Sequence, residues 1–158
     1  MPIQVAVCGP SECTELEADA AFRVGRLLAR AGVTVLCGGG AGVMAAVAAG
    51  ASAAKGLVIG IRPDADRSTA SAELSATIVT NLGEARNAVI VWSADAVIAI
   101  GGSWGTLSEV ALAKRRGGIP VISLGGWRVT DSDGCEVPGI ENASSPEEAV
   151  RLALAAGP

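Results

Sequence analysis

The sequence has no histidine and no tyrosine, and its only aromatic residues are one phenylalanine and three tryptophans. Without histidine, a Ser-His-Asp or Cys-His nucleophile, a histidine-ligated metal and histidine acid–base chemistry are excluded. We therefore expect no metal site, and any catalysis would depend on carboxylates, arginines and backbone dipoles. The scarcity of aromatic rings also argues against a surface that stacks nucleic-acid bases.

A basic surface is missing as well. The 158 residues carry a net charge of -4, and the only basic run is Lys114-Arg115-Arg116. That run lies where positive charge favourably meets the C-terminus of a predicted helix. Because duplex binding needs a concentrated stripe of positive charge, we expect no nucleic-acid partner.

No hydrophobic run is long enough to cross a membrane, and the first residues lack the basic segment that opens a secretory signal. We expect a cytoplasmic protein without membrane contact. The four cysteines fit no zinc spacing and should stay reduced in that compartment. Cys8 and Cys37 each end a predicted strand, so they either lie near a site at that edge or are buried, inert thiols.

Half of the residues are hydrophobic, and they form a regular alternation of strands and helices. Several strands are almost wholly apolar, which is typical of a parallel sheet covered on both faces. We predict an α/β fold with a doubly wound, Rossmann-like parallel sheet, formed as a single domain by residues 1–158. The predicted strands are 3–8, 33–37, 56–61, 76–80, 95–100 and 119–124, and the predicted helices are 14–30, 42–54, 83–92, 106–116 and one that begins near 145.

Local signals mark several boundaries. Thr14 and Glu17 have the spacing of a capping box at the start of the first helix, and Asn81 is predicted to cap the third. The stretch 62–75, rich in Pro, Asp, Ser and Thr, predicts a loop over the carboxyl edge of the sheet. The turn-rich stretch 125–139 predicts a small hairpin.

Two glycine-rich corners join an apolar strand to a helix, one at residues 38–42 and the other at residues 101–106. Glycines let the backbone approach an anion closely, and the first N–H groups of the following helix point at the same place. Since both corners lie at the carboxyl edge of one sheet, they should face each other across an anion site. Glu109 follows one helical turn later, within reach of a bound group.

Four segments together resemble the LONELY GUY (LOG) superfamily, and in particular its short bacterial branch, which includes molybdenum-cofactor carrier proteins. The segments are CGGGAGVM at 37–44, VIGIRPD at 58–64, NLGEARNAVIVWSADAVIAIGG at 81–102 and GGSWGTLSE at 101–109. They occur in order along nearly the whole chain, which makes the resemblance much more specific than either glycine corner.

The resemblance implies binding of a nucleoside 5'-monophosphate and cleavage of its N-glycosidic bond, with Arg86 and Glu109 as the catalytic pair. A carboxylate can stabilise the oxocarbenium-like ribose of such a reaction, and an arginine fork can offset the charge of phosphate and glutamate. The candidate ligand-binding residues are Gly9, Ser11, Gly38, Gly39, Gly40, Gly42, Asn87, Gly101, Gly102, Ser103, Trp104, Gly105 and Thr106.

Departures from the family motif favour the carrier-like branch. Where the LOG motif reads PGGxGTxxE, this chain has Gly101 at the proline and Ser103 at the second glycine, and Asn87 replaces a basic residue. Two interpretations stay open, a nucleotide phosphoribohydrolase and a non-catalytic carrier or sensor of a phosphorylated ligand such as molybdenum cofactor. The residues also have plainer alternatives, with Arg86 as a solvated surface residue and Glu109 as an ordinary first-turn glutamate.

Two further side chains have alternatives of their own. Ser11 either donates to the ligand or caps the first helix, and Trp104 either stacks on a base or pterin or plugs the rim of the pocket. We do not expect a lysine decarboxylase. A pyridoxal-phosphate enzyme would need a Schiff-base lysine, and the only lysines, Lys55 and Lys114, both lie near predicted helix C-termini, away from the carboxyl edge.

The expected ligand is therefore a nucleoside monophosphate, phosphate or molybdenum cofactor, with no other cofactor required. The resemblance also implies a homodimer or higher homo-oligomer, for which the alanine-rich helix at 45–54 offers a small-residue surface.

Overall fold

Seven parallel strands form one sheet in the order β4-β3-β2-β1-β5-β6-β7 in the computed structural model, which describes residues 1–155. The strands are β1 Gln4–Cys8, β2 Thr34–Cys37, β3 Val58–Arg62, β4 Ala76–Val79, β5 Ala96–Ile100, β6 Val121–Leu124 and β7 Glu141–Ala143. The helices are α1 Glu15–Arg30, α2 Val43–Ala53, α3 Arg86–Trp92, α4 Trp104–Arg116 and α5 Pro146–Leu154. The α/β, doubly wound prediction is confirmed.

The central strands are apolar because both faces of the sheet are covered. Helices α1, α2 and α5 pack on one face, and α3 and α4 pack on the other. The chain builds outward from β1 in one direction through β2, β3 and β4, then returns to add β5, β6 and β7 on the other side. The carboxyl ends of β1 and β5 thus flank the switch point where open α/β sheets bind ligands.

The small residues of α2 have a partner within the chain. A β-carbon at Gly50 would overlap the carbonyl oxygen of Phe22 in α1, and one at Gly25 in α1 would overlap the carbonyl oxygen of Val47. The close packing of α1 on α2 leaves room only for small side chains, which explains why the sequence of α2 is rich in alanine. The homodimer or higher oligomer stays a prediction.

Two local predictions are wrong, and one strand was missed. Strand β7 was not predicted, since its three residues are exposed or half-buried and it forms by pairing with β6. Asn81 does not cap a helix: it has φ 53°, and Leu82 precedes a 3-10 turn over Gly83–Ala85 that leads into α3. Helix α4 begins two residues earlier than predicted, at Trp104, with Ser103 as its cap.

Other local predictions are confirmed. Thr14 and Glu17 form the capping box of α1. The loop predicted over 62–75 begins one residue later, because Arg62 ends β3, and it lies over the first glycine corner, where the Ser71 amide donates to the Gly39 carbonyl. A bridge between Thr130 and Glu136 closes the hairpin after β6. Within residues 1–155, every helix is too short or too polar to span a bilayer.

Candidate functional site

A cleft of about 230 Å³ opens at the carboxyl ends of β1 and β5. The structure brings nine of the predicted site residues to its walls, namely Gly9, Ser11, Gly38, Arg86, Asn87, Ser103, Gly105, Thr106 and Glu109. Cys8, which the sequence analysis placed either near the site or in the core, also lines the cleft, and two further lining residues were missed, Met44 and Glu84. Their only signal was position, since each lies two residues from a predicted site residue.

The other predicted residues do not line the cleft, and most are explained by packing. A β-carbon at Gly42 would overlap the carbonyl oxygens of Pro10 and Ser11, and Gly42 also has φ 63°. Gly39 and Gly40 lie against the Arg62 side chain, and Gly101 has φ 65° and lies against Glu17. Gly102 lies under the Trp127 ring, and Trp104 is exposed outside the cleft. Gly39, Gly42 and Gly101, each with a positive φ, are required by the fold of the two corners.

Gly105 is different. It lies in the first turn of α4 with helical backbone, and a β-carbon there would have only Ser103 Oγ nearby, at 3.8 Å. Glycine in a helix is less favourable than alanine by up to about 1 kcal/mol, and no neighbour within the chain requires it here. Its open face belongs to the cleft, so the missing side chain leaves room for something that enters from outside.

The start of α4 also offers free hydrogen-bond donors. Ser103 Oγ accepts from the Thr106 amide at 3.2 Å and lies 3.0 Å from the Thr106 hydroxyl, so these groups satisfy each other. Among residues 1–155, the amides of Trp104 and Gly105 have no acceptor. Two unsatisfied N–H groups at the positive end of a helix dipole favour an anion beside Gly105.

Arg86, the first residue of α3, reaches across the ends of two strands. Its Nη1 atom donates to the carbonyl oxygen of Gly38 at 2.9 Å and of Ile61 at 2.6 Å. The side chain therefore holds the start of α3 against β2 and β3 while its charge faces the cleft. The interpretation of Arg86 as a solvated surface residue is wrong.

We expect Arg86→Met to lower the free energy of unfolding by roughly 2 to 4 kcal/mol, because two carbonyl oxygens lose a charged donor. The matched control is Arg26→Met, on the exposed side of α1, which should change it by less than about 0.5 kcal/mol. Urea titrations of both variants test this. Equal small effects would show that Arg86 does not anchor the strands.

Asn87, the next residue of α3, supports the second glycine corner, at the start of α4. Its Nδ2 atom donates to Ser108 Oγ at 2.9 Å, and Ser108 Oγ donates to the Gly105 carbonyl at 2.7 Å. This chain of hydrogen bonds fixes the first turn of α4 relative to α3. Asn87 Oδ1 is buried and has no partner among the described residues.

Glu109 lies in the second turn of α4 and is only 7% exposed. Burial raises its pKa to about 7, against the lowering effects of the Arg86 charge and the Cys8 thiol, while the Glu84 charge raises it further. Near neutral pH the carboxyl group is therefore divided between its neutral and charged forms. Such a group can accept an anionic neighbour when protonated and repel it when ionised.

The two strand-end cysteines remain thiols. Burial and the nearby Glu109 raise the pKa of Cys8 well above its usual value, and burial raises that of Cys37 to about 11. Both are buried, so thiolate chemistry at neutral pH is disfavoured. Cys8 contributes to the cleft as a small neutral side chain.

The SLOG cluster4 family model matches residues 2–151. The chain belongs to this family. This SLOG cluster4 protein is also 37% identical to an uncharacterized protein of Archaeoglobus fulgidus, in an alignment of 158 positions that covers 96% of the chain and 95% of the relative.

Solved structures of similar proteins agree in fold and length. The molybdenum cofactor binding protein of Rippkaea orientalis is 37% identical, with 96% of this chain and 95% of that chain covered and a TM-score of 0.86. The molybdenum cofactor carrier protein of Chlamydomonas reinhardtii is 28% identical, with 98% and 99% covered and a TM-score of 0.81. The resemblance to the LOG-like branch that includes such carriers is confirmed.

Proposed function

We propose that this SLOG cluster4 protein binds and carries a small phosphorylated molecule of the molybdenum-cofactor class without converting it. The observation that carries the proposal is the open face of Gly105, where the free amides of Trp104 and Gly105 meet the cleft that Arg86 lines. A phosphate group on these donors would gain charge-assisted hydrogen bonds at the positive end of α4. The likeness to two molybdenum-cofactor proteins over nearly their whole length supports the ligand class.

Two features favour carriage over turnover. The stabilisation of an oxocarbenium-like ribose requires an ionised carboxylate, whereas burial raises the pKa of Glu109 to about 7 and so disfavours the ionised form. Arg86 donates to two backbone carbonyls, so its position is explained by a structural role and by contact with a bound anion, without a role in catalysis. Backbone amides and an arginine held by the fold can bind an anion without taking part in bond cleavage.

A nucleotide phosphoribohydrolase is the second candidate, and one observation favours it. Glu109 and Arg86 line the same cleft, and a carboxyl group with a pKa of about 7 can donate a proton to a departing base. If this candidate is correct, Glu109→Gln should lower the rate of base release by several powers of ten and leave phosphate binding intact.

The deciding experiment measures retention and turnover on the same sample. The protein is expressed in a host that makes molybdenum cofactor, and the purified chain is assayed for molybdenum and for the oxidised, fluorescent pterin. A second portion is incubated with a panel of nucleoside monophosphates, and free bases are separated by chromatography. We expect about one pterin and one molybdenum per chain, and no base above the rate without protein. Base release without retained pterin would establish the hydrolase instead.

A further inference from the structure

Two of the three tryptophans lie in contact beside the glycine corner that begins α4. The rings of Trp104 and Trp127 have centroids 5.1 Å apart and planes 83° apart, an edge-to-face arrangement. Trp104 is 78% exposed and Trp127 is 47% exposed. Two adjacent, exposed indole rings form an apolar patch that is unusual for a chain with so few aromatic residues.

The backbone is shaped to hold this pair. Trp104 is the first residue of α4, and Trp127 lies in the hairpin that follows β6. A β-carbon at Gly102 would overlap the Trp127 ring, so Gly102 allows the ring to pack directly on the corner. The pair is thus built onto the corner that carries the free amides.

The position of Trp104 links the rings to the anion site. This residue supplies both a free amide at the start of α4 and an exposed ring, so the anion site and the aromatic pair have one residue in common. A small second cavity, bounded by the Trp127 ring, lies on this side and shares Ser103 and Thr106 with the main cleft. A flat molecule anchored at Gly105 would therefore meet an aromatic surface where it leaves the cleft.

We propose that Trp104 and Trp127 form an aromatic subsite that stacks the fused heterocycle of the phosphorylated ligand. The inference rests on the proposed function, because it assumes that a phosphate group is held at the start of α4. It assigns a role to Trp127, on a hairpin that the glycine motifs do not include, and it makes the ligand class a phosphorylated pterin or purine. The exposure of both rings leaves the pair open to a flat stacking partner.

The test compares two probes, inorganic phosphate and GMP, by isothermal titration. GMP serves because guanine has the same 2-amino-4-oxopyrimidine ring as a pterin. We expect the parent protein to bind GMP more tightly than phosphate. Trp127→Leu should weaken the binding of GMP at least about tenfold and leave phosphate affinity within twofold, and Trp104→Leu should weaken the binding of GMP by a similar factor. Trp104→Phe, which keeps a ring, should restore part of the loss.

The chain offers a matched control in Trp92, which is 64% exposed at the end of α3 and lies over Arg116, away from the corner. Trp92→Leu should change neither affinity. In a Trp92→Phe background only the pair fluoresces, so GMP should quench the emission and phosphate should not. Thermal unfolding of each variant checks that the fold is intact.

The outcomes separate the two proposals. If the parent protein binds GMP no more tightly than phosphate, or if the leucine variants keep their affinity for GMP, the proposal of an aromatic subsite is wrong. Phosphate binding would still support the anion site. If neither probe binds, both proposals fail. If Trp104→Leu halves the mass in sedimentation while GMP affinity is unchanged, the patch is an interface between copies of the chain and the subsite is overturned.

Discussion

We expect the Glu109→Gln variant to be more stable than the parent protein at pH 8 and nearly as stable as the parent at pH 5. The folded protein raises the pKa of Glu109 to about 7 from an ordinary value of 4.5. A carboxyl group with a raised pKa binds its proton more tightly in the folded state. Its favourable contribution is therefore complete below about pH 4.5, declines from there to pH 7, and is lost above that.

The size of the effect follows from the shift. One pKa unit corresponds to about 1.4 kcal/mol, so the advantage of Glu109→Gln should grow by roughly 2 to 3 kcal/mol between pH 5 and pH 8. Urea unfolding of both proteins at each pH measures it in the absence of ligand. The control is Glu73→Gln, an exposed loop residue, which should show no such growth. Parallel pH profiles for Glu109→Gln and the parent protein would contradict the buried-carboxyl account.

The same substitution should alter anion binding in a pH-dependent way. Sulfate is a suitable probe, because it remains a dianion across this range. Its affinity for the parent protein should fall as the pH rises through 7 and Glu109 ionises, whereas Glu109→Gln should bind with a flat profile. A buried carboxyl group that lowers stability at neutral pH is typical of a residue kept for its function.

The sequence was sufficient for the fold because each signal was local and strong. Apolar strands alternate with capped helices. A parallel sheet with right-handed crossovers and helices on both faces must be extended from β1 in both directions, which places β5 beside β1 on the side opposite β2. Strand β7 was not predicted, because Glu141–Ala143 is too short to show an apolar alternation and becomes a strand only by pairing with β6. Asn81 resembles a cap by residue type, and only its positive φ reveals a turn.

The candidate site was harder to predict in detail, although both corners are where the sequence placed them. A glycine's role depends on what would surround its β-carbon, which differs between the packed Gly42 and the open Gly105. The hydrogen bonds of Arg86 go to carbonyl oxygens at the ends of two strands that are distant in sequence, so no local sequence pattern predicts these bonds. The alternative for Ser11 as a helix cap is wrong, because Thr14 caps α1 and Ser11 lines the cleft.

We expect Gly105→Ala to lose ligand while the protein keeps or gains stability. A β-carbon at this position would project into the cleft, with Ser103 Oγ at 3.8 Å as its only neighbour, so the fold accommodates it. Alanine in a helical turn is favoured over glycine by up to about 1 kcal/mol, which should raise the unfolding temperature slightly. The same methyl group would stand where an anion must approach the Trp104 and Gly105 amides.

A displaced anion loses charge-assisted hydrogen bonds worth about 1.5–3 kcal/mol each. Gly105→Ala should therefore lower the affinity for inorganic phosphate at least about tenfold, and Gly105→Val, with its branched side chain, should leave no measurable phosphate binding. The control is Gly50→Ala, whose β-carbon would overlap the Phe22 carbonyl oxygen. This variant should have a lower unfolding temperature, and the fraction that remains folded should bind phosphate as the parent protein does. Titration calorimetry and thermal unfolding on the same preparations give both readouts. Undiminished phosphate binding by Gly105→Val would remove the anion site from the start of α4, and with it the physical basis for carriage of a phosphorylated ligand.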